Sequence, residues 1–521
     1  MADVEELLRP FFDELMALRP VEATYLGIHD HDHRLPEGGR DEAESERRLL
    51  RSLRDRLAGA GEGIDAELAR YFTELTLFEL EDFRVADRMA IGGEVIGTGL
   101  FLLFARDFAP LEKRMEAILS RLEDTPRYLE RSRERLEDPV RLWNEVALDS
   151  VRELPTLLGE IVAAAPDSLD SKIRRAADAA REAIDDHMRW LEGEVLPTAS
   201  ADFAIGEAGY ERLLQLRRLP APPDSILELG RRQLELVHEQ RKELVAKHWP
   251  GKSVDEVEAS IRGDHAPDFD QALAEYRHSI AAARAFVEHK RLATIPPGEA
   301  LHVVETPPFL RATTPFAAYF PAAPFDERQL GVYIVTPLSG PQALQEHNRA
   351  AIQNTSVHEA YPGHHLQFVC ANAARTLARV LSAYQAHEFV EGWAHYCEQL
   401  MDEEGFSSTP EVRFVQLSDL LWRACRIVID VELSRGHMGS DEAVRMLVEE
   451  AGLAREGALA EVNRYTYTPG YQLSYLYGKH LLLELRERVK ARQGADFELQ
   501  RFHDTLLYAG ALPAALWDRL F

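Results

Sequence analysis

The chain has 521 residues, 45% of them apolar and 28% charged, which is close to globular averages and long enough to bury a large core without disulfide or metal staples. Its formal net charge of −28 opposes the phosphates of nucleic acids and anionic membrane surfaces, so both partner classes are excluded. The acidity is read as solubility.

The first segment, MADVEELLRPFF, carries acids where a secretory leader needs bases and lacks a continuous apolar core. Three cysteines, Cys370, Cys397 and Cys425, are odd in number and lie in apolar surroundings. They are read as reduced, buried thiols, and the expected location is cytoplasmic. The most apolar run, Val95 to Phe104, is interrupted by Gly97 and Gly99. It is too short for a membrane span of about twenty residues and predicts a buried helix.

Residues 1–293 read as a helical N-terminal region. Asp124-Thr125-Pro126 and Asp138-Pro139 read as helix starts, with a capping residue before Pro. Ser253 and Glu256 have capping-box spacing. Arg127 to Glu137 and Ala176 to Glu194 are charged amphipathic helices, and Leu219 to Asp224 is a Pro-rich joint. The run His29-Asp30-His31-Asp32-His33, just before Pro36, reads as a solvated loop rather than a metal site.

Residues 294–521 read as a second, catalytic region. Between Thr294 and Pro341 prolines crowd at 296, 297, 307, 308, 315, 321, 324, 337 and 341, so helix is disfavoured there. Leu301 to Val304 and Gly331 to Thr336 predict two short strands. After Pro341 the helical pattern returns and runs nearly to Phe521.

The chemistry begins in Val357-His358-Glu359-Ala360-Tyr361-Pro362-Gly363-His364-His365-Leu366-Gln367. Metal-dependent peptidases commonly take two imidazoles at i and i+4 on one helix, with a Glu beside the first as general base. Here i+4 is Pro362, which binds no metal. Pro ends a helix and Gly permits a distorted backbone, so a break at 362–363 that gains two residues would return His364 to the face of His358 and turn His365 elsewhere. Alone, the segment is also compatible with a helix end bearing satisfied histidines.

A second segment, His387 to Glu398, places His387, Glu391, His395 and Glu398 on one helical stripe amid Phe389, Val390, Trp393 and Cys397. Such a stripe is costly to bury unless its groups are paired or bind a cation. Glu391 is the candidate third ligand, with His395 and Glu398 as groups that orient the ligands. A solvent-facing stripe of ordinary i,i+4 pairs is the alternative. A third segment, Asn463 to Tyr475, is Tyr-rich around Pro469-Gly470. Tyr475 and Tyr467 are candidate donors to an oxyanion, or members of a packed aromatic turn.

His-Glu-x-x-Pro-Gly-His-His-Leu-Gln, then Glu-Gly-Trp-Ala, then Pro-Gly-x-x-x-Ser-Tyr together resemble the bacterial domain-of-unknown-function family 885, grouped with gluzincin-like zinc metallopeptidases. The motifs cover roughly residues 300 to 510. The resemblance implies a mainly α, zincin-like fold of many helices around a deep cleft, with a small β-sheet next to the active-site helix. It also implies one Zn²⁺ per chain on His358, His364 and Glu391, with Glu359 as general base. It draws attention to Arg423, Arg426 and Asp430, the last two as an i,i+4 ion pair or as support for a substrate.

The function expected is hydrolysis of peptide bonds in short peptides by water activated at the metal. The strand at Gly331 to Thr336 would receive an extended peptide by strand addition. A carboxypeptidase would need a cation for the substrate terminus, for which Arg311, Arg426 and Arg464 are candidates. A metal-dependent hydrolase of a non-peptide amide or ester, and a catalytically inactive helical binding protein, are the alternatives.

Overall fold

The structure, a computed structural model, describes residues 4–307, 311, 317–337, 343–406 and 408–521. It is mainly α, with one small sheet. The amphipathic spacing of the N-terminal region does what it predicts. Helix Asp170–Trp190 buries Ile173, Ala176, Ala177, Ala180 and Ile184 on one stripe, and Gly92–Ala105 packs Ile96, Leu100 and Leu103 into the same cluster. No single helix among the described residues is long and apolar enough to cross a membrane; only the bent pair Ile64–Arg88 and Gly92–Ala105, broken by 97°, has that composition. The Ser253–Glu256 capping box forms as expected. The Pro-rich joint separates helix Gly206–Leu216 from helix Pro223–His248.

Two predicted helix starts are corrected. Asp124-Thr125-Pro126 lies inside helix Leu111–Arg133. Pro126 removes a single N–H there, the Thr125 hydroxyl donates to the Arg121 carbonyl at 2.9 Å, and the Asp124 carboxylate receives Arg127 at 2.6 and 2.8 Å. Asp138 adopts φ +42 and caps nothing; the next helix begins at Arg141 after Val140. The histidine run at 29–33 is a solvated loop only in part: Asp30 and His33 are exposed, but His29–His31 forms a short 3-10 helix and His29 is held in place. His29 donates to Asp32 at 2.9 Å, lies 3.0 Å from Asp326, and stacks on Phe108 at 3.7 Å.

The sheet has order β1-β3-β2, with β1 Ala300–Glu305, β2 Ala317–Phe320 and β3 Leu330–Val335. β1 runs parallel and β2 antiparallel to β3. The expected peptide-receiving strand at 331–336 is therefore central and has no free edge. β2 escaped prediction because it is four residues long amid prolines. Pro341 lies outside the described residues; regular helix resumes at Arg349.

The largest hydrophobic core runs from Leu8 through Tyr210 and Trp393 to Trp517, so residues on both sides of the 293/294 boundary share it. Arg217, just after helix Gly206–Leu216, ties the regions further. It donates to Glu388 at 2.7 Å and to Ser474 Oγ at 2.9 Å, with the ion pair at most 3% exposed.

Candidate metal centre

Helix Arg349–Glu359 starts where the Asn348 side chain accepts the Ala351 N–H. It ends at Glu359 because Pro362 follows, and Tyr361-Pro362 is a cis peptide. The Gly363 N–H reaches back to the Val357 carbonyl at 3.1 Å. A Cβ on Gly363 would lie 1.8 Å from the His358 carbonyl oxygen, so only glycine allows the chain to pass so close. The Trp393 indole donates to the Pro362 carbonyl at 2.8 Å and pins the break to the next layer. A new helix, His364–Ala373, then begins with His364. The imidazoles of His358 and His364 end up with ring centroids 4.9 Å apart, the outcome expected of a helix that gains two residues.

Glu391 arrives from helix His387–Glu403, whose partner is helix Ser474–Gln493. The two cross in backbone contact: a Cβ on Gly478 would lie 2.0 Å from the Glu388 carbonyl oxygen, and one on Gly392 would lie 2.6 Å from Gly478. This crossing sets the Tyr471 to Tyr475 turn beside Glu391.

Donor atoms of His358, His364 and Glu391 all lie within 4.8 Å of one another, and all three residues are buried. His364 Nε2 is 3.4 Å and His358 Nε2 4.0 Å from Glu391 Oε2. Bond lengths of about 2.0–2.2 Å at tetrahedral angles put neighbouring zinc donors about 3.3–3.5 Å apart. Of the three pairs, one is at that spacing, a second is slightly wider and the third lies within 4.8 Å, so two imidazoles and a carboxylate fit a zinc-like cation with a position left open.

The surroundings orient this set. His358 Nδ1–H donates to Glu398 Oε1 at 2.7 Å, which aims Nε2 at the cluster. Asn354 donates to the other Glu398 oxygen at 3.2 Å and to Asp419 at 2.9 Å. The Tyr471 hydroxyl donates to Glu391 Oε1. Burial opposes the charge on Glu391, but His364, His358 and Tyr471 hold its carboxyl well below the usual range. In turn, although burial works against it, Glu391 holds the His364 imidazolium up to about 9. A cation bound here would compete with a proton for His364.

The other predicted residues divide. Glu359, beside His358, is half-buried, and no hydrogen bond or ion pair joins it to another described residue. Its charge is felt by His364, Tyr276, Tyr319 and Tyr333. The Tyr333 hydroxyl is buried with no hydrogen-bond partner among the described residues. Tyr475 touches the site: its ring centroid is 5.9 Å from that of Tyr471. Tyr467 does not, and packs edge-on against Trp143 at 6.5 Å. His365 turns away, as expected, to Glu299 at 2.7 Å and the Tyr319 hydroxyl at 3.0 Å, which fastens its helix to β2. His395 is buried with Nδ1 3.3 Å from Glu398, yet neither ring nitrogen makes a well-formed hydrogen bond to a described residue; burial pushes it down to about 3.

The i,i+4 pair of Arg426 and Asp430 does not form. Arg426 turns instead to Glu461 at 2.7 Å and to the Tyr465 hydroxyl at 2.8 Å. Asp430 accepts the N–H groups of Gly470 and Leu473 at 2.7 and 2.9 Å, and so shapes the tyrosine turn. Arg464 pairs with Glu461 at 3.0 Å. Arg311 pairs with Glu305 near the sheet. Sequence reasoning missed Tyr471, whose position inside the motif was visible but whose reach to Glu391 depends on the helix crossing.

Fold and site together define a mainly helical protein with a preformed, buried His–His–Glu cluster able to hold a metal ion. The chain belongs to the family described as bacterial protein of unknown function (DUF885), whose model matches residues 20–520. Two solved structures share its fold. A "putative lipoprotein of unknown function" from Shewanella oneidensis is 24% identical, with all of both chains covered and a TM-score of 0.80. The "putative lipoprotein" from Colwellia psychrerythraea is 22% identical, with 99% of this chain and 97% of that one covered and a TM-score of 0.84. No protein of curated description matches the chain significantly.

Proposed function

We propose that the protein is a zinc-dependent peptidase of short peptides. The observation that carries this reading is the convergence of His358, His364 and Glu391, with Glu359 adjacent in sequence and joined by no hydrogen bond to another described residue. A cation held by these three residues would supply a Lewis acid to polarise a carbonyl and lower the pKa of water. Glu359 takes a proton from the attacking water and passes it to the departing amine. Glu398 keeps His358 in the tautomer that presents Nε2. The Tyr475 hydroxyl, next to Tyr471 and within the field of Glu391, is the candidate donor to the developing oxyanion.

The test is a screen of short peptides with the zinc-loaded protein, read by mass spectrometry, beside Glu359→Gln. Cleavage by the wild type, with a loss of at least about a hundredfold in kcat and retained zinc in the variant, supports the reading. Full activity in Glu359→Gln would remove its general base.

A further inference from the structure

Beyond Tyr471 and Tyr475, helices Pro410–Arg435 and Arg455–Tyr467 gather three guanidinium groups. Arg426 lies 4.4 Å and Arg423 5.9 Å from the Tyr475 ring centroid, and Arg464 lies 5.6 Å from that of Tyr471. Two carboxylates answer them. Glu461 spends a single oxygen, Oε2, on Arg426 at 2.7 Å, Arg464 at 3.0 Å and the Tyr465 hydroxyl at 2.6 Å. Asp419 meets Arg423 at 3.1 Å.

Donors therefore exceed acceptors. Arg423 Nε is buried with no hydrogen-bond partner among the described residues. Among the described residues the Arg464 side chain hydrogen-bonds only through Nη2, and it is 33% exposed. A buried donor left without a partner, as on Arg423, is costly unless a ligand completes it, while the exposed part of Arg464 is accessible to one, and guanidinium groups bind carboxylates in a fork geometry. The surplus charge sits one tyrosine ring from Glu391. Because a peptide residue spans at most about 3.3–3.6 Å, an anion bound there belongs to a residue close to the bond that is cut.

We infer that Arg464, backed by Arg426 and Arg423, binds a carboxylate of the substrate, either the free C-terminus or an acidic side chain beside the scissile bond. The substrate class is then short peptides with a carboxylate at or beside the residue that is cut, which an acidic protein surface alone would not favour. This inference rests on the peptidase reading of the neighbouring site.

The test separates the two. Binding is measured by calorimetry to the zinc-loaded Glu359→Gln protein, with three N-acetyl tripeptides: the free acid of an alanine peptide, its C-terminal amide, and the amide with Glu in the last position. The free acid or the Glu amide is expected to bind about ten- to a hundredfold tighter than the plain amide, and which one does so names the carboxylate. Arg464→Gln in the same background should abolish the preference, and Arg464→Lys should restore part of it. Equal binding of all three peptides, no binding of any, or a preference unchanged in Arg464→Gln would overturn the assignment. Hydrolysis by the wild type is scored in parallel: a carboxylate preference without hydrolysis removes the peptidase reading alone, and hydrolysis without preference removes this inference alone.

Discussion

Glu398 accepts the Nδ1–H of His358 at 2.7 Å from the same helix that carries Glu391. One rigid helix thus supplies both a member of the His–His–Glu cluster and the group that aims another member, so their relative positions are fixed by helix geometry rather than by a loop. Glu398→Gln keeps the shape but weakens the acceptor. Zinc affinity, read by competition with a chelating dye, should fall about ten- to a hundredfold with the fold intact. An unchanged affinity would show that Glu398 does not orient His358.

Gly363 passes too close to the His358 carbonyl for any side chain. Gly363→Ala should lower the unfolding free energy by about 3 kcal/mol or more, as overpacking against backbone leaves no soft neighbour to yield. Gly159, inside a helix with open space around its Cβ position, is the control. Gly159→Ala should be neutral or stabilising by up to about 1 kcal/mol. Urea denaturation of the two variants distinguishes them.

Arg217 and Glu388 form an ion pair at most 3% exposed between the N-terminal helices and the Glu391 helix. Removing one partner leaves a buried charge, so Arg217→Met should cost about 3–5 kcal/mol. The double variant with Glu388→Leu should recover much of that loss. A single variant as stable as the wild type would contradict the pairing.

The site was more legible in the sequence than the frame that builds it. His358, His364 and Glu391 could be named because a Pro-Gly break and a buried polar stripe are local signals. The direction of His365 followed from the same break. Tyr471, Gly478 and the Arg217–Glu388 pair could not be named, since each acquires meaning only when helices distant in sequence cross. Arg426 and Asp430 misled for a related reason. Four-residue spacing puts two side chains on one face, but Glu461 and the N–H groups of Gly470 and Leu473 offered better partners. β2 was hidden by its brevity, and Pro126 by a helix whose neighbours tolerate the missing N–H.

His29 binds Asp32 and Asp326 across nearly 300 residues of chain. Burial alone would lower its pKa, but the two carboxylates raise it to about 9 from 6.5. A histidine raised on folding stabilises fully below its unfolded pKa and loses that contribution as pH rises through the folded value. The melting difference between wild type and His29→Gln should therefore be largest below about pH 6.5 and shrink towards pH 9. A difference that grows with pH would contradict the bridge.

The central claim is that His358, His364 and Glu391 hold a metal ion, and the most direct measurement is elemental analysis of the protein purified without added metal, beside His358→Ala. The account predicts about one zinc per chain in the wild type and its loss in the variant. A wild type that carries no metal and takes up none on titration with zinc would contradict it.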